Sequence, residues 1–293
     1  MANNVKVSDM IKLAKSQIGY KDGDAQVLKY IRNWEPSWGP ETPWCACFLT
    51  WLADQLGLDT IRGASVPTMV KAAKAKGLWL APGQQNDGDF VVYTYSADGN
   101  PDHIGLDIGG GYSIDGNFND CVCYHKKINV LGYIKNTYAK EKAIKKIKVV
   151  YGGADGLDIR EGACYGSSVR RVAKKGEILN VVADLGDMYM LENFLYVTNE
   201  KEYVVDYVEP AKTKKQKIQI PTTAKSWRVY PLDKAPVVGN ECGMLLPSNF
   251  KDEAKYLEYD VIKWAQKDVA VIKTRDFGTV QIYVGSGTGA VIK

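Results

Sequence analysis

The side chain in this sequence best suited to nucleophilic chemistry is Cys45, which lies where a helix is predicted to begin. Thr42 is a favoured N-cap residue, Pro43 suits the first helical position, and Gly57 is typical of the residue that follows a helix. The first turn of a helix carries unpaired N–H groups and the positive end of the helix dipole, and both favour a thiolate. The same N–H groups can stabilise an oxyanion. Cys47 lies about 200° further around the helix and is expected in the core.

A cysteine nucleophile needs a base within hydrogen-bonding distance, and the chain has only two histidines, His103 and His125. His103 opens a predicted strand, His103–Ile108, and Gly109–Gly111 predicts a tight hairpin into a second strand, Tyr112–Asn117. His125 has no comparable polar partners in the sequence and is expected at the surface. The histidine base is therefore predicted to be His103.

The hairpin predicts which polar side chains accompany the base. A three-residue loop pairs Ile108 with Tyr112, so that His103 lies directly opposite Asn117 and diagonal to Asp115, all on one face. A two-residue loop would move the polar pair to the other face. A general base needs a partner that fixes its tautomer and stabilises its imidazolium. Either Asp115 or Asn117 is predicted to do this.

Metal chemistry is a weaker interpretation of the same residues. The pairs Cys45–Cys47 and Cys121–Cys123 have one intervening residue, whereas structural zinc sites usually space their cysteines by two to four. The two carboxylates of Asp22 and Asp24 are conceivable calcium ligands, because hard cations favour oxygen. Acidic residues in polar loops are more often only solvated. We therefore expect no required cofactor, with calcium at this loop as the alternative.

The elements that position these residues are predicted to be helices in the first part of the module and strands in the part that follows. Ser8 can cap a helix whose apolar stripe is Ile11, Ala14 and Ile18. Short apolar runs later in the chain predict strands, and the order predicts an α+β fold. Besides the two strands of the hairpin, the predicted strands of this part are Phe90–Tyr95, Val122–Lys126 and Val130–Ile134.

Two lysine-rich stretches divide the chain. Ala139–Lys148 contains five lysines, and Glu209–Lys217 combines a proline with four lysines, which predicts linkers. The resulting modules cover about 1–138, 149–208 and 219–293. Strand-like runs with turn residues between them dominate the second and third modules, for example Ile178–Ala183, Phe194–Thr198, Val269–Thr274 and Thr279–Val284.

Composition excludes several classes of protein to which this chain could otherwise belong. The chain has 293 residues, 45% hydrophobic and 25% charged, with a net charge of +4 that falls wholly after residue 140. This mild positive charge suits binding to an anionic polymer, but it is far below what is typical of a protein that binds nucleic acid. No run of about 18 apolar residues predicts a membrane span, and the first residues lack the apolar core of a secretory signal. The six cysteines are too widely spread for a disulfide scaffold.

Four ordered stretches resemble the CHAP family of cysteine amidohydrolases/peptidases. Pro43–Trp51 resembles the nucleophile motif of the family, and Asn86–Val91 resembles its turn into the first central strand. Pro101–Leu106 resembles its histidine motif, and Ile114–Asn117 resembles its acidic-Gly-Asn motif. The resemblance spans about residues 8–138.

Membership in that family implies a papain-like α+β fold and cleavage of amide bonds in peptidoglycan. It also implies that Cys45 is the nucleophile, that His103 is the base, and that Asp115 and Asn117 orient the histidine. The family often has glutamate where Asp115 stands, so either Asp115 or Asn117 makes the main contact.

The later modules resemble wall-binding domains. Gly156–Gly162 and Lys175–Leu179 are similar to stretches of bacterial SH3-like domains, although Asp158 replaces the usual asparagine and the usual tryptophan is Tyr189 or absent. The third module looks like C-terminal modules of some Gram-positive wall hydrolases at Trp227–Tyr230 and Thr274–Gly278. Tandem modules of this kind imply a monomer held on peptidoglycan and its associated polymers.

The resemblance implies an enzyme similar to a phage endolysin, made in the cytoplasm and released to the wall through a separate pore. Three alternatives stay open: an intracellular cysteine peptidase, a wall-binding protein with an inactive catalytic domain, and a zinc-binding module. The scissile bond is either the sugar–alanine amide, a stem-peptide bond or a crossbridge bond.

Overall fold

Four α-helices open the chain in the computed structural model, which describes residues 4–96, 98–209 and 216–293. They are α1 Val7–Lys15, α2 Ala25–Trp34, α3 Cys45–Leu56 and α4 Val66–Ala75. Antiparallel sheets follow the helices, so the chain has the α+β architecture that its pattern predicts. None of the described helices is long and apolar enough to cross a lipid bilayer.

Helix α1 begins earlier than predicted. Lys6 is its N-cap, and Ser8, the predicted cap, lies buried inside the first turn. The Lys6 backbone N–H donates to the Asp9 carboxylate at 3.1 Å, which stabilises the helix start without a hydroxyl cap. Ile11 and Ala14 face the core as predicted. Two residues of the predicted apolar stripe are therefore confirmed, whereas the half-buried Ile18 lies beyond the end of the helix at Lys15 and the predicted capping residue is wrong.

Helix α3 begins two residues later than predicted, with Trp44 as its N-cap instead of Thr42. The Trp44 indole is 1% exposed, and its Nε1–H donates to Asp22 Oδ1 at 2.7 Å. This anchored indole fixes the chain immediately before Cys45. The helix ends at Leu56, and Gly57 takes a left-handed conformation with φ of 72°, as its glycine predicts.

The sheet nearest the helices has six strands in the order β1-β6-β2-β3-β4-β5. The predicted strands of the first module are confirmed within two residues at each end. Their bounds are β2 Phe90–Tyr93, β3 His103–Asp107, β4 Tyr112–Phe118, β5 Cys121–Lys126 and β6 Val130–Ile134, and the short strand β1 Trp79–Leu80 was not predicted. Apolar residues of α3 and of the central strands share one buried core, including Phe48, Leu106 and Ile114.

A seven-stranded sheet follows in the order β13-β7-β10-β11-β12-β8-β9. Its strands are β7 Lys145–Val149, β8 Leu157–Arg160, β9 Val169–Ala173, β10 Ile178–Asp184, β11 Met188–Leu191, β12 Leu195–Thr198 and β13 Val204–Tyr207. Strand β7 lies largely within the stretch 139–148 that was expected to be a linker. Ile147 and Val149 are buried while Lys148 between them is exposed, so this lysine-rich stretch alternates as a strand does.

The two sheets belong to one compact unit, residues 1–208, and residues 209–293 form another. Met188 and Tyr196 from the second sheet, and Cys164 from the β8–β9 loop, join the buried cluster of the helices and the first sheet. The Lys15 ammonium in α1 also donates to the Ala163 carbonyl at 2.7 Å. The second module therefore packs on the first through a shared core.

The second unit is built from short strands around a core of its own, which includes Ile220, Val229, Ile272 and Ile282. Its sheets have the orders β17-β14-β21, β15-β16 and β18-β19-β20. The strands are β14 Lys217–Pro221, β15 Trp227–Val229, β16 Gly243–Leu245, β17 Tyr256–Asp260, β18 Lys263–Gln266, β19 Val269–Thr274, β20 Gly278–Tyr283 and β21 Val291–Ile292. Of the predicted linker Glu209–Lys217, residues 210–215 lie outside the described residues.

Candidate active site

Cys45 is the first residue of α3, inside the first helical turn. Cys45 is 7% exposed, whereas Cys47 is 0% exposed and lies in the core as predicted. Burial raises the pKa of the Cys47 thiol to about 11, so this thiol is protonated at neutral pH. Of the two neighbouring cysteines, only Cys45 is therefore placed to react with a substrate.

A glycine on β4 lets the sheet approach the start of α3. A Cβ atom on Gly116 would lie 2.7 Å from Phe48 Cβ and 2.8 Å from the Trp44 ring. Contacts this short are not tolerated, so only glycine permits the approach. This close packing brings Cys45 against the first sheet, where the predicted base lies.

His103 is the first residue of β3 and makes hydrogen bonds in two directions. Its Nε2 lies 3.0 Å from Asp115 Oδ2, and its ring also hydrogen-bonds the Cys45 side chain. Because Nε2 is engaged by the carboxylate, Nδ1 is the ring nitrogen left to face the thiol. Burial would lower the pKa of His103, but the hydrogen bonds with Asp115 and Cys45 and their charges outweigh it and raise the pKa to about 10. His103 is therefore an imidazolium at neutral pH.

Asp115 is 0% exposed and lies where the predicted hairpin register puts it. Gly105 pairs with Asp115, which makes His103 its diagonal neighbour and confirms the three-residue loop. A Cβ atom on Gly105 would lie only 1.8 Å from Asp115 Oδ1, so the carboxylate occupies the space above this glycine. Burial would raise the pKa of Asp115, but hydrogen bonds from His103 and His125 hold it below its usual value.

His125 is 4% exposed and lies within this cluster, so the prediction that it lies at the surface is wrong. Its Nδ1 lies 2.8 Å from the same oxygen, Asp115 Oδ2, that accepts from His103. Strand β5 pairs His125 with Ser113, which makes His125 a diagonal neighbour of Asp115 from the other side. The diagonal argument that found Asp115 also finds His125 once it is applied to the β4–β5 pair.

Asn117 does not lie opposite His103, so that part of the predicted geometry is wrong. The β3–β4 ladder ends at Gly105–Asp115, and Asn117 takes a positive φ of 58°. The β4–β5 register shifts between Asp115 and Phe118, where two residues of β4 oppose one of β5. Asparagine tolerates this left-handed conformation better than most residues. Asp115 is therefore the residue that accepts the hydrogen bond from His103, and the functional role of Asn117 stays a prediction.

A short loop after β2 brings Tyr95 into the cluster. The sequence pattern does not predict this contact. The Asp102 carboxylate accepts from the Tyr95 backbone N–H at 3.0 Å and from the Ser96 backbone N–H at 2.9 Å. This closes the loop and places the Tyr95 hydroxyl 3.2 Å from His125 Nε2. An aspartate immediately before the base is an inconspicuous sequence signal, because its partners are backbone groups.

The predicted calcium candidates have protein partners. Asp22 Oδ1 accepts from the Trp44 indole at 2.7 Å, and Asp24 Oδ2 accepts from the Lys21 backbone N–H at 2.9 Å. Elsewhere among the described residues, ligand-type atoms of His103, Asp115 and His125 lie within 4.8 Å of one another. An ionised carboxylate only accepts hydrogen bonds, so both ring nitrogens facing it carry protons and form a hydrogen-bonded network.

Comparison with known proteins gives a partial match. The chain is 41% identical over 78 residues to an endolysin of Listeria phage A511. Those residues make up 27% of this chain and 22% of that endolysin, so the chain spans about a fifth of the relative that it matches. No family model matches the chain.

Two solved structures, both of Ly7917, align with part of this chain. The crystal structure of Ly7917 aligns over 69% of this chain and 98% of its own, with 15% identity and a TM-score of 0.29. Ly7917 with the hydrolyzing product of MDP aligns over 69% and 99%, with 14% identity and a TM-score of 0.27. TM-scores this low do not establish a common fold.

Proposed function

We propose that this chain is a cysteine-dependent peptidoglycan hydrolase of the endolysin type. The observation that carries the proposal is the contact of Cys45, at the start of α3, with His103, whose other ring nitrogen faces the buried carboxylate of Asp115. A thiol, a base and a group that orients the base are the parts that acyl transfer requires. The 41% identity to a phage endolysin over 78 residues supports the wall as the substrate.

In the first step, Cys45, as the thiolate of a thiolate–imidazolium pair with His103, attacks the carbonyl carbon of an amide or peptide bond in peptidoglycan. The first-turn N–H groups of α3 stabilise the oxyanion, because helical N–H groups at this end have no intrahelical acceptor. The intermediate then collapses, the C–N bond breaks, and the His103 imidazolium gives its proton to the leaving amine. This step leaves an acyl group on Cys45 as a thioester.

In the second step, neutral His103 takes a proton from water, and the resulting hydroxide attacks the thioester. The C–S bond breaks, the product leaves as a carboxylic acid, and the thiolate–imidazolium pair is restored. Asp115 stays ionised throughout and fixes the ring with Nε2 toward itself. Every group in this cycle belongs to the chain itself or to the substrate, so we propose that no metal or other cofactor is required.

We further propose a division of labour along the chain. The helices with the first sheet act as a papain-like catalytic domain. The β7–β13 sheet and the second unit act as SH3-like modules that hold the enzyme on peptidoglycan and its associated polymers. Attachment to the wall raises the effective concentration of the catalytic domain at its substrate.

The direct test is lysis of purified walls by full-length variants. Cys45→Ala should lower the rate of turbidity loss by at least about 1,000-fold, the scale seen when a covalent nucleophile is removed. Cys47→Ala is the matched control, since it makes the same change two residues away in the same helix and should keep most of the activity. Equal rates for wild type and Cys45→Ala would contradict the proposal.

Three further outcomes separate the alternatives. Activity on casein but not on walls would indicate an intracellular cysteine peptidase. Binding to walls without any lysis by the wild type would indicate an inactive catalytic domain. Loss of activity in EDTA together with resistance to iodoacetamide would indicate metal-dependent chemistry. Mass spectrometry of the muropeptides would identify the bond that is cut.

A further inference from the structure

Two buried imidazoles share one carboxylate oxygen in the proposed active site. His103 Nε2 lies 3.0 Å from Asp115 Oδ2, and His125 Nδ1 lies 2.8 Å from the same atom. Neither the cysteine–histidine–carboxylate chemistry nor the similarity to the endolysin assigns the second imidazole any role. We infer that His125, held by Tyr95, is a positioning residue that fixes the Asp115 carboxylate in the orientation that His103 requires.

The first argument for this inference is the poor solvation of Asp115. Its carboxylate is 0% exposed, and Oδ1 has no hydrogen-bond partner. A buried carboxylate with one unsatisfied oxygen depends on the donors at its other oxygen, because burial penalises its charge. His103 cannot serve as a fixed support, since its ring must exchange protons with substrate. The His103 ring changes charge during the cycle as its Nδ1 loses and regains a proton, whereas the His125 N–H donates to Oδ2 from a ring that takes no part in the proposed proton transfers.

The second argument is the way in which His125 itself is held. The Phe118 ring stacks on the imidazole with centroids 3.9 Å apart and planes at 21°. The Tyr95 hydroxyl lies 3.2 Å from Nε2 and 3.4 Å from Nδ1, and it can donate to Nε2 because Nδ1 faces the carboxylate. An imidazole that accepts at Nε2 is neutral and carries its proton on Nδ1, which is the nitrogen that faces Asp115. The ionised carboxylate requires the proton on Nδ1, and the Tyr95 hydroxyl at Nε2 is compatible with that tautomer.

Other polar groups surround Asp115, and Ser113 on the same strand also hydrogen-bonds the carboxylate. The Ser113 hydroxyl is shared with the Tyr93 hydroxyl at 2.7 Å and the His125 carbonyl at 3.4 Å, whereas the His125 Nδ1–H is directed at Oδ2. The titratable groups whose charges interact with Asp115 are His103, Tyr93, Tyr95, Asp107 and Cys123. Tyr93 and Tyr95 stay protonated because burial raises their pKa values well above the usual range.

The test compares two substitutions at one position. His125→Phe keeps a ring for Phe118 to stack on but removes the N–H, and kcat should fall by about 10- to 100-fold, the equivalent of one hydrogen bond to a charged group. KM should stay unchanged, because His125 lies behind Asp115 and not against the substrate. His125→Asn puts an amide N–H where Nδ1 was and should recover kcat to within a few fold of wild type. Unaltered kcat in His125→Phe would overturn the inference.

A second readout needs no substrate and keeps the inference separate from the proposed function. The chain has two histidines, so His103 is the only one left in either variant, and its ring nitrogen shifts can be read without overlap. The shifts should report a single Nε2-bonded ring in His125→Asn and exchange between ring states in His125→Phe. Identical His103 spectra in both variants would contradict the inference even if wall lysis proved independent of Cys45.

Tyr95→Phe is a second variant that still tests the inference if a His125 variant fails to fold. Tyr95 is exposed at 42%, so loss of its hydroxyl leaves the core intact. This variant should lower kcat a few fold in the same direction and disturb the same His103 signals. Wild-type kcat and wild-type spectra in Tyr95→Phe would remove Tyr95 from the inference.

Discussion

At the scale of single residues, the state of His103 depends on the charge of Asp115. The pKa of His103 is raised to about 10 because the hydrogen bonds and charges of Asp115 and Cys45 outweigh the effect of burial. An imidazolium persists below its pKa and is lost above it. The proposed first step needs an imidazolium to protonate the leaving amine, so activity should persist until the pH approaches 10.

Asp115→Asn should move this basic limit downward. The substitution keeps the size of the side chain but removes the negative charge, so that only Cys45 still opposes the lowering of the His103 pKa by burial. The basic limb of the kcat/KM profile on a soluble muropeptide should shift down by several pH units. Activity at pH 8 should fall by about 1,000- to 10,000-fold, as in other enzymes whose orienting carboxylate is replaced by an amide. A basic limb that stays at the wild-type pH would show that Asp115 does not set the charge of His103.

At the scale of secondary-structure elements, two glycines make the site possible. Gly105 leaves room on β3 for the carboxylate of Asp115, and Gly116 lets β4 approach the start of α3. Larger side chains at either position would separate the groups that the site joins. The contacts among Cys45, His103 and Asp115 therefore depend on two glycines that have no functional side chain of their own.

Gly105→Ala should disrupt the site from within. The new Cβ would lie 1.8 Å from Asp115 Oδ1, so the carboxylate must move away from His103. We expect a loss of about 1–3 kcal/mol in the free energy of unfolding, typical of overpacking, and at least about a 100-fold loss of wall lysis. Gly152→Ala is the control, because its Cβ would lie 3.5 Å from Lys175, an ordinary contact distance. Equal stability and activity in the two variants would contradict the role given to Gly105.

One bulge accounts for both errors in the predicted site. Phe118 of β4 pairs with Cys121 of β5 across the Asn119–Asp120 turn. If the ladder continued regularly from that pair, His125 would lie opposite Ile114. Its side chain would then point to the face of the sheet away from Asp115. The extra residue at Gly116–Asn117 shifts the register by one, so that His125 lies opposite Ser113 and on the same face as Asp115. The same bulge ends the β3–β4 ladder before Asn117. Local sequence predicts the loop of a hairpin, but a bulge depends on packing against α3, which the sequence does not display.

At the scale of the whole molecule, local sequence signals predict where helices and loops begin better than charge content predicts the linkers between modules. The β3–β4 loop and the first-turn position of Cys45 follow from glycine and helix-start signals, and the structure confirms both. The lysines of 139–148 suggest a linker, yet Lys145 joins β7, and its ammonium lies 2.8 Å from Asp206 and 2.9 Å from the Tyr189 hydroxyl. Charge content alone misses a strand whose alternate residues are buried.

The shared core of the first unit is also invisible to a pattern analysis of separate modules. Tyr196 of β12 is 0% exposed and donates its hydroxyl to Asp87, which precedes β2. Burial raises the pKa of Asp87 to about 7 in spite of this hydrogen bond. Contacts between residues 109 positions apart depend on the final packing and leave no periodic signal in the sequence.

The measurement that tests the central claim most directly relates wall lysis to the chemical state of one sulfur. The full-length protein is treated with iodoacetamide for increasing times, and peptide mass spectrometry gives the modified fraction of each cysteine beside the residual rate. We predict that the rate falls in proportion to the unmodified fraction of Cys45 and does not follow modification of the exposed Cys242. Wall lysis at the full rate with Cys45 completely alkylated would contradict the account.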